Sequence, residues 1–576
     1  MRFTDISRVR SSFDERVTAR DGVELSADVY WPAEQGTYPV LVTRTPYDNN
    51  HADQSPPTST SPHVPSDLFK LIAAHGFIVV AGDVRGRGDS EGAFVPFVHE
   101  EMDGEDVLQW ARSLPESNGR LGVFGTGYAG FAALTVADKP GVDAVAAWSP
   151  FGVGMGLPAR GGALRLDWLL WLHLVGGRVR GPVDVPAWPE IFRSRPLTRM
   201  HEVLGRADSV WPEWLGHLDP DDAFWSSLDL DHVLAAAQAP TLLVSGWWDV
   251  SLEATLKHWG AATTSAEGSR HRLVVGPWDS AAVRRPTPDV GGVAWGPGSA
   301  IDPAELLLAW LDAHLHRDSV VESPGLTGGL ISSAPTAHDA PAKLFVTGRN
   351  AWTTTADWAD ARATESLWLS SGGAANTRVG DGRLLTTTAA DDAADQFVHD
   401  PTNPVPWQPG DGSFVRSRAS TFTLGSSFAT SRDDTLVYSS APAVAPRLIC
   451  GRPVVHLWAV TDLDDADWVV ALEDVFPGDT RSVHLSHGIV RAATLPHFAA
   501  NQIINLTIAM TPLAHELQPG HALRLVVASS LFPLYAVNFG SVDYIGSASA
   551  GTYGTHAVHH GPSRPSRLDL PGAPAS

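Results

Sequence analysis

Short apolar runs alternate with amphipathic stretches through the first 150 residues, and the alternation resumes near residue 240. "YPVLVTRTPY" (38–47), "FIVVAGDVRG" (77–86), "RLGVFG" (120–125) and "VDAVAAWSP" (142–150) have the length and apolar continuity of strands buried on both faces. Between them, "DLFKLIAAHG" (67–76) closed by Gly76, "EEMDGEDVLQWARSL" (100–114) with its acidic start, and "YAGFAALTVAD" (128–138) read as helices. Such alternation predicts an α/β domain whose mainly parallel sheet carries helices on both faces. "GVELSADVYWP" (22–32) alternates with period two and stops at Pro32, which predicts an edge hairpin strand.

From 149 to 237 the character changes to aromatic-rich helical pieces broken by Pro and Gly, among them "LRLDWLLWLHLVGG", and this segment reads as an inserted helical cap. "PTLLVSGWWD", "LEATLKHWGAA", "HRLVVGPWD" and "PAELLLAWLDAHL" then restore the strand–helix pattern, so the α/β domain is expected to be discontinuous, 1–148 and 238–320. The remainder, 321–576, opens on a Gly/Pro/Ser-rich connection and continues as turn-separated short strands such as "PVVHLWAV" and "ALRLVVASS". It is expected to form a jelly-roll β-sandwich.

The chain of 576 residues is too long for one core and leads to an expectation of about three domains. Its formal charge of −23 repels nucleic acid and anionic membranes, so neither is an expected partner. One cysteine, Cys450, excludes an intrachain disulfide and a Cys-based zinc cluster, and its strand-like setting suits a buried inert thiol. No apolar segment of signal-peptide length stands near Met1, and no membrane-spanning run follows; the expectation is a soluble cytoplasmic protein, its assembly state open. No metal and no cofactor are expected. "GDVRGRGDSEG" lacks the strand-to-helix dinucleotide fingerprint, and His556, His559 and His560 of "THAVHHG" read as surface residues.

The ordered set "RDGVELSADVYWP", "VTRTPYD", "GDVRGRGDSEG", "GVFGTGYAG", "VSGWWD", "LVVGPW", "VTGRNAW", "FVHDPTNPVP" and "GHALRLVVASSLFP" resembles the cocaine-esterase-like and X-prolyl dipeptidyl-peptidase-like acyl hydrolases, the CocE/NonD group. The resemblance covers nearly the whole chain. It implies an α/β-hydrolase domain, an inserted helical cap and a C-terminal jelly roll, with the active site where the three meet. It also implies a Ser, an Asp and a His as catalytic triad, and a Tyr hydroxyl with a backbone N–H as oxyanion hole. Mapped onto this chain, the nucleophile position is Gly127, the acid is Asp249 and the base position is Ser280. The oxyanion donors map to the Tyr47 hydroxyl and the Tyr128 N–H, and the "GDVRGRGDSEG" loop is expected to pair Asp83 with Arg85.

A serine hydroxyl becomes nucleophilic when an imidazole takes its proton and a carboxylate orients that imidazole. Glycine offers no nucleophile, and no histidine lies between His271 and His314 to replace the base. Asp249 is then either a leftover hydrogen-bonded to Ser280 or a carboxylate free to act as base. Asp279 reads as an exposed loop carboxylate that could reach the pocket, and His51 as a loop residue able to approach from another direction. Trp168, Trp171 and His173 of the cap, with Trp247 and Trp248, are candidates for an aromatic wall around an apolar ligand. The expected partner is a small carbonyl-bearing or acyl ligand. Three readings stay open: an enzyme doing non-hydrolytic chemistry in a retained oxyanion pocket, a non-catalytic binding relative, and an esterase or amidase using Ser280 or Thr126 as substitute nucleophile.

Overall fold

The computed structural model describes residues 6–572 apart from 50–65, 155, 180–187, 207–208, 286, 317–340, 356–362, 377, 407–430, 480, 544 and 547–550. A ten-stranded sheet organises the first part. Across it run Arg10–Thr18, Glu24–Trp31, Ile78–Asp83, Tyr38–Thr45, Ser117–Thr126, Val142–Trp148, Thr241–Trp248, Arg272–Asp279, Ala342–Val346 and Ala351–Thr355. The pairs from Ile78–Asp83 to Ala342–Val346 are all parallel, and the outer pairs are antiparallel. Alternation within a parallel strand explains its continuous apolar sequence: Val40 and Val42 enter one core, Leu41 the other. Helices Glu100–Arg112, Tyr128–Leu134 and Leu252–Thr263 pack into the first core, Ser66–Ala74 and Pro303–Leu315 into the second. Pro303–Leu315 starts where it does because Asp302 accepts a hydrogen bond from Ala304 N at 2.8 Å and proline fills the first turn.

Two expectations about this sheet are corrected. Glu24–Trp31 is not the edge, because Arg10–Thr18 pairs along it and takes that place, which is why its interior residues are all buried. Residues 342–355, grouped by sequence with the jelly roll, belong to the first sheet instead: Ala342–Val346 pairs in parallel with Arg272–Asp279, and Ala351–Thr355 closes the edge. The physical reason is that the exposed flank of Arg272–Asp279 offers unpaired backbone groups that this hairpin satisfies.

Residues between Val142–Trp148 and Thr241–Trp248, neighbouring strands of the sheet, form short helices including Asp167–Val175, Trp211–Leu215 and Ala223–Ser226. They are held by indoles rather than by long amphipathic faces: Trp211, Trp214 and Trp225 are buried. Beyond the hairpin, eleven strands from Ala363–Ser370 to Arg567–Pro571 form a second, mainly antiparallel sheet. This is a C-terminal β domain of jelly-roll type. Cys450 lies on Arg447–Gly451, which pairs with Leu513–Leu517 apart from that sheet, and is buried against the first core; burial pushes its thiol up to about 11.

"THAVHHG" is not a surface segment. It lies in the strand Gly554–His560, where His556 and His560 are buried and His560 bonds Asp395 at 3.0 Å. No group of three or more metal-ligating side chains occurs among the described residues. The His556 ring packs between Phe397 and Trp468, at 5.2 and 5.0 Å, and burial lowers its pKa to about 3. A histidine depressed in the folded state contributes stability that is whole above its ordinary value near 6.5 and is lost as pH falls toward about 3. Replacing His556 by Phe is therefore expected to recover about 2 kcal/mol of unfolding free energy at pH 5 relative to its effect at pH 7.5, as measured by denaturant titration at both pH values.

Candidate functional site

The strand Ser117–Thr126 passes into the helix Tyr128–Leu134 through one residue, Gly127, at φ 61° and ψ −120°. The turn is this sharp because Gly125 lets the helix come close: a Cβ there would lie 2.2 Å from the Ala129 carbonyl oxygen. Gly127 itself is pinned by its N–H to Trp148 O (2.9 Å) and by its carbonyl, which accepts from Phe151 N (3.1 Å). A Cβ built at Gly127 would meet the Phe151 ring at 3.5 and 3.7 Å and Arg284 Nη2 at 3.8 Å, all ordinary contacts. The backbone thus holds the strained conformation of a nucleophile turn while presenting no side chain.

Asp249 follows the strand Thr241–Trp248, and Ser280 follows Arg272–Asp279; parallel pairing of these strands brings their ends together. Ser280 Oγ donates to Asp249 Oδ1 at 2.6 Å and accepts from Val250 N at 3.1 Å, while Ser245 Oγ donates to Asp249 Oδ2 at 2.7 Å. Each carboxylate oxygen thus has a hydroxyl donor. Asp279 is buried rather than exposed, and its Oδ1 accepts from Ala281 N and Ala282 N at 3.0 and 2.7 Å. Burial raises its pKa and these N–H groups partly oppose the shift. It caps the turn that leads to Arg284, which explains why a carboxylate tolerates burial there.

Tyr47 follows the strand Tyr38–Thr45, and its hydroxyl accepts from Trp171 Nε1 at 2.8 Å. Trp171, on the helix Asp167–Val175, stacks on Tyr128 at 5.6 Å, while Trp168 meets Phe151 edge-on at 5.2 Å. Tyr47, Tyr128, Trp168 and Trp171 are therefore assembled with Phe151 beside Gly127. Three other candidates point elsewhere. His173 follows Trp171 by two residues, roughly 200° round the helix, and its carbonyl accepts from Arg206. Trp247 is a core residue donating to Phe345 O at 2.7 Å; Trp248, on the opposite strand face, stacks on Trp295 and donates to His484 O at 3.1 Å. His51 lies outside the described residues.

Several contributors escape a reading of the sequence. Arg284 and Phe151 border Gly127, and Ser245 holds Asp249; only Ser245 carries a signal, its position two strand residues before Trp247 on the same face as that side chain. Arg87, fully buried, donates to Pro46 O at 2.7 Å and Val175 O at 2.9 Å, joining the Tyr47 loop to the end of the cap helix. The Tyr128 hydroxyl donates to Glu100 Oε1 at 2.8 Å, and Arg44 Nη1 donates to Glu100 Oε2 at 2.9 Å. Burial raises the Glu100 pKa against the pull of Arg44. Arg85 pairs with Asp103 and Asp21 rather than with Asp83, whose oxygens accept from Asn49 N and Asp89 N. Asp83 cannot take a guanidinium there because Gly88 closes over it; a Cβ on Gly88 would fall 2.0 Å from Asp83 Oδ2.

Residues 21–280, which include Tyr47, Gly127 and Asp249 and end on Ser280, match the family described as X-Pro dipeptidyl-peptidase (S15 family). Residues 337–569 match the X-Pro dipeptidyl-peptidase C-terminal non-catalytic domain. Over 588 residues the chain is 30% identical to the cocaine esterase of Rhodococcus sp. (strain MB1 Bresler), covering 96% of this chain and 97% of that protein. The chain belongs to the CocE/NonD family. A putative serine esterase of Mycobacterium bovis is 26% identical, with 96% of this chain and 94% of that protein covered. An α-amino acid ester hydrolase structure superimposes with a TM-score of 0.82 at 24% identity, covering 99% of this chain and 98% of that one. A CocE/NonD family hydrolase from Staphylococcus aureus gives 0.64 at 15% identity, with 97% and 93% covered. These two share the fold of this CocE/NonD member, an α/β-hydrolase with a C-terminal β domain. No helix among its described residues is long and apolar enough to cross a membrane.

Proposed function

We propose that this CocE/NonD protein binds a carbonyl-bearing small molecule over Gly127 and acts on it without an acyl-enzyme, by proton transfer, elimination, cyclisation or decarboxylation. The observation that carries the reading is the pairing at Asp249. Its oxygens accept from Ser280 and Ser245 at 2.6 and 2.7 Å, so a hydroxyl stands where the family pattern has an imidazole. Without an imidazole there and without a side chain at position 127, acyl transfer lacks both base and nucleophile. The Tyr47 hydroxyl, oriented by the Trp171 indole, and the Tyr128 N–H would stabilise negative charge developing on the ligand's carbonyl oxygen. Phe151, Trp168 and Trp171 would shield it from water.

Asp249 in this reading holds the ends of two strands together, and any proton moved passes between atoms of the ligand itself while Tyr47 and the Tyr128 N–H stabilise the charge that develops. The same saturation of Asp249 favours a second reading, a ligand-binding relative without turnover. Hydrolysis through Ser280 or Thr126 has less support, because Ser280 donates to a carboxylate rather than to an imidazole.

Substituting Tyr47 by Phe is expected to weaken binding of aryl ketones such as acetophenone about fivefold, the worth of one net hydrogen bond. Titration calorimetry on both proteins measures it. Unchanged affinity, with no turnover of any carbonyl compound, would move the ligand-binding reading ahead. Mass spectrometry after fluorophosphonate treatment should find the wild-type protein unlabelled; a stoichiometric adduct on Ser280 or Thr126 would make it a serine or threonine hydrolase after all.

A further inference from the structure

Arg284 is a cation that borders Gly127. Its Nη2 stands 3.8 Å from the point a Cβ on Gly127 would occupy. Its Nε is buried without a hydrogen-bond partner, and among the described residues no carboxylate lies within ion-pair distance of its guanidinium. The two carboxylates that flank this turn are otherwise engaged, Asp249 by two serine hydroxyls and Asp279 by backbone N–H groups. Burial raises the Asp279 pKa and the Arg284 charge draws it down, without an ion pair between the two. In a chain with 64 acidic against 41 basic side chains, a half-buried guanidinium left without a carboxylate is an anomaly that a ligand anion would resolve. A Cβ at position 127 would fit between Arg284 and the Phe151 ring at ordinary contact distances, so the backbone itself leaves room for an atom beside the guanidinium.

We infer that the ligand carries a carboxylate, which Arg284 receives over Gly127 while an aryl or other apolar body lies along Phe151 and Trp168. A guanidinium presents paired N–H donors whose fork matches the two oxygens of a carboxylate, which an ester or amide carbonyl does not. The substrate class is therefore an apolar, carbonyl-bearing acid rather than a neutral ester. This rests on the proposed seat of the ligand over Gly127 and adds its charge.

Benzoate, phenylacetate and 3-phenylpropionate, each beside its methyl ester, are the probes, and titration calorimetry at pH 7.5 the measurement. At least one of the acids is expected to bind wild-type protein about tenfold or more tighter than its ester. Arg284→Met should abolish that preference by lowering acid affinity about tenfold or more with a much smaller change in ester affinity, and Arg284→Lys, which keeps the charge without the fork, should recover part of it. Equal affinity for acid and ester, or an acid affinity indifferent to Arg284→Met, overturns the carboxylate assignment and leaves the pocket reading standing. Failure of all six compounds to bind overturns both. Ester affinity falling together with acid affinity in both variants would mean that Arg284 only holds the pocket's shape, which also overturns the assignment.

Discussion

The double variant Gly127→Ser, Ser280→His is expected to hydrolyse p-nitrophenyl acyl esters, and neither single variant is. The backbone at Gly127 already has φ 61° and ψ −120°, and a Cβ there meets nothing closer than 3.5 Å, so a serine enters without displacing its neighbours. Its positive φ costs on the order of 1–2 kcal/mol, a strain that the hydrogen bonds from Gly127 N to Trp148 O and from Phe131 N and Phe151 N to Gly127 O are placed to hold. A histidine at position 280 would start from a site whose present side chain reaches Asp249 at 2.6 Å, so the carboxylate is ready to orient the ring. In the Gly127→Ser single variant the new hydroxyl has no imidazole to take its proton, and in the Ser280→His single variant the new imidazole has no hydroxyl to deprotonate. Introducing both should raise the initial rate at least about 10³-fold over wild type, within the range that base and nucleophile contribute together. Steady-state rates, with a burst of p-nitrophenol equal to the enzyme concentration, are the check. A folded but inert double variant would show that the pocket has been remodelled beyond its missing side chains, and the ligand-binding reading would then lead.

Substituting Glu100 by Ala is expected to cost about 3–5 kcal/mol of stability. Glu100 and Arg44 are both buried, and the change would leave the guanidinium without its carboxylate and the Tyr128 hydroxyl without its acceptor. Tyr128 is the first residue after Gly127, so the loss falls on the turn itself. Tryptophan fluorescence in a urea titration should show an earlier transition for this variant. The double change Arg44→Leu, Glu100→Leu should recover much of the loss, because removing both charges is cheaper than stranding one. A Glu100→Ala variant within about 1 kcal/mol of wild type would mean that the pair contributes little to holding the turn.

Legibility in the sequence follows the range of the forces involved. Buried parallel strands announce themselves locally, since both faces must be apolar, and "YPVLVTRTPY" and "RLGVFG" are legible on that ground; the Gly127 turn is legible from glycine spacing. Edge assignment depends on which other strand arrives, so local pattern puts the edge at 22–32, misses Arg10–Thr18 outside it, and groups the 342–355 hairpin with the wrong sheet. Trp247 and Trp248 are neighbours in sequence but occupy opposite faces, and only the register of the strand separates a core indole from one that meets the β domain. Arg284 in "AAVRRPTP" resembles any loop arginine, because its direction is set by the turn that Asp279 caps. His556 looks like a surface residue because a histidine's burial depends on partners more than 80 residues away in the chain, Phe397 and Trp468.

Arg87 and Trp171 also bear on how a ligand comes and goes. Swinging the helix Asp167–Val175 off the sheet would strip a fully buried guanidinium of its acceptor at Val175 and break the indole bond to Tyr47. At about 1–3 kcal/mol for each buried donor left unmade, more for the charged one, such an excursion would be populated too rarely to serve as a doorway. That helix is a fixed jamb, and a ligand seated over Gly127 as proposed would have to come and go along another edge.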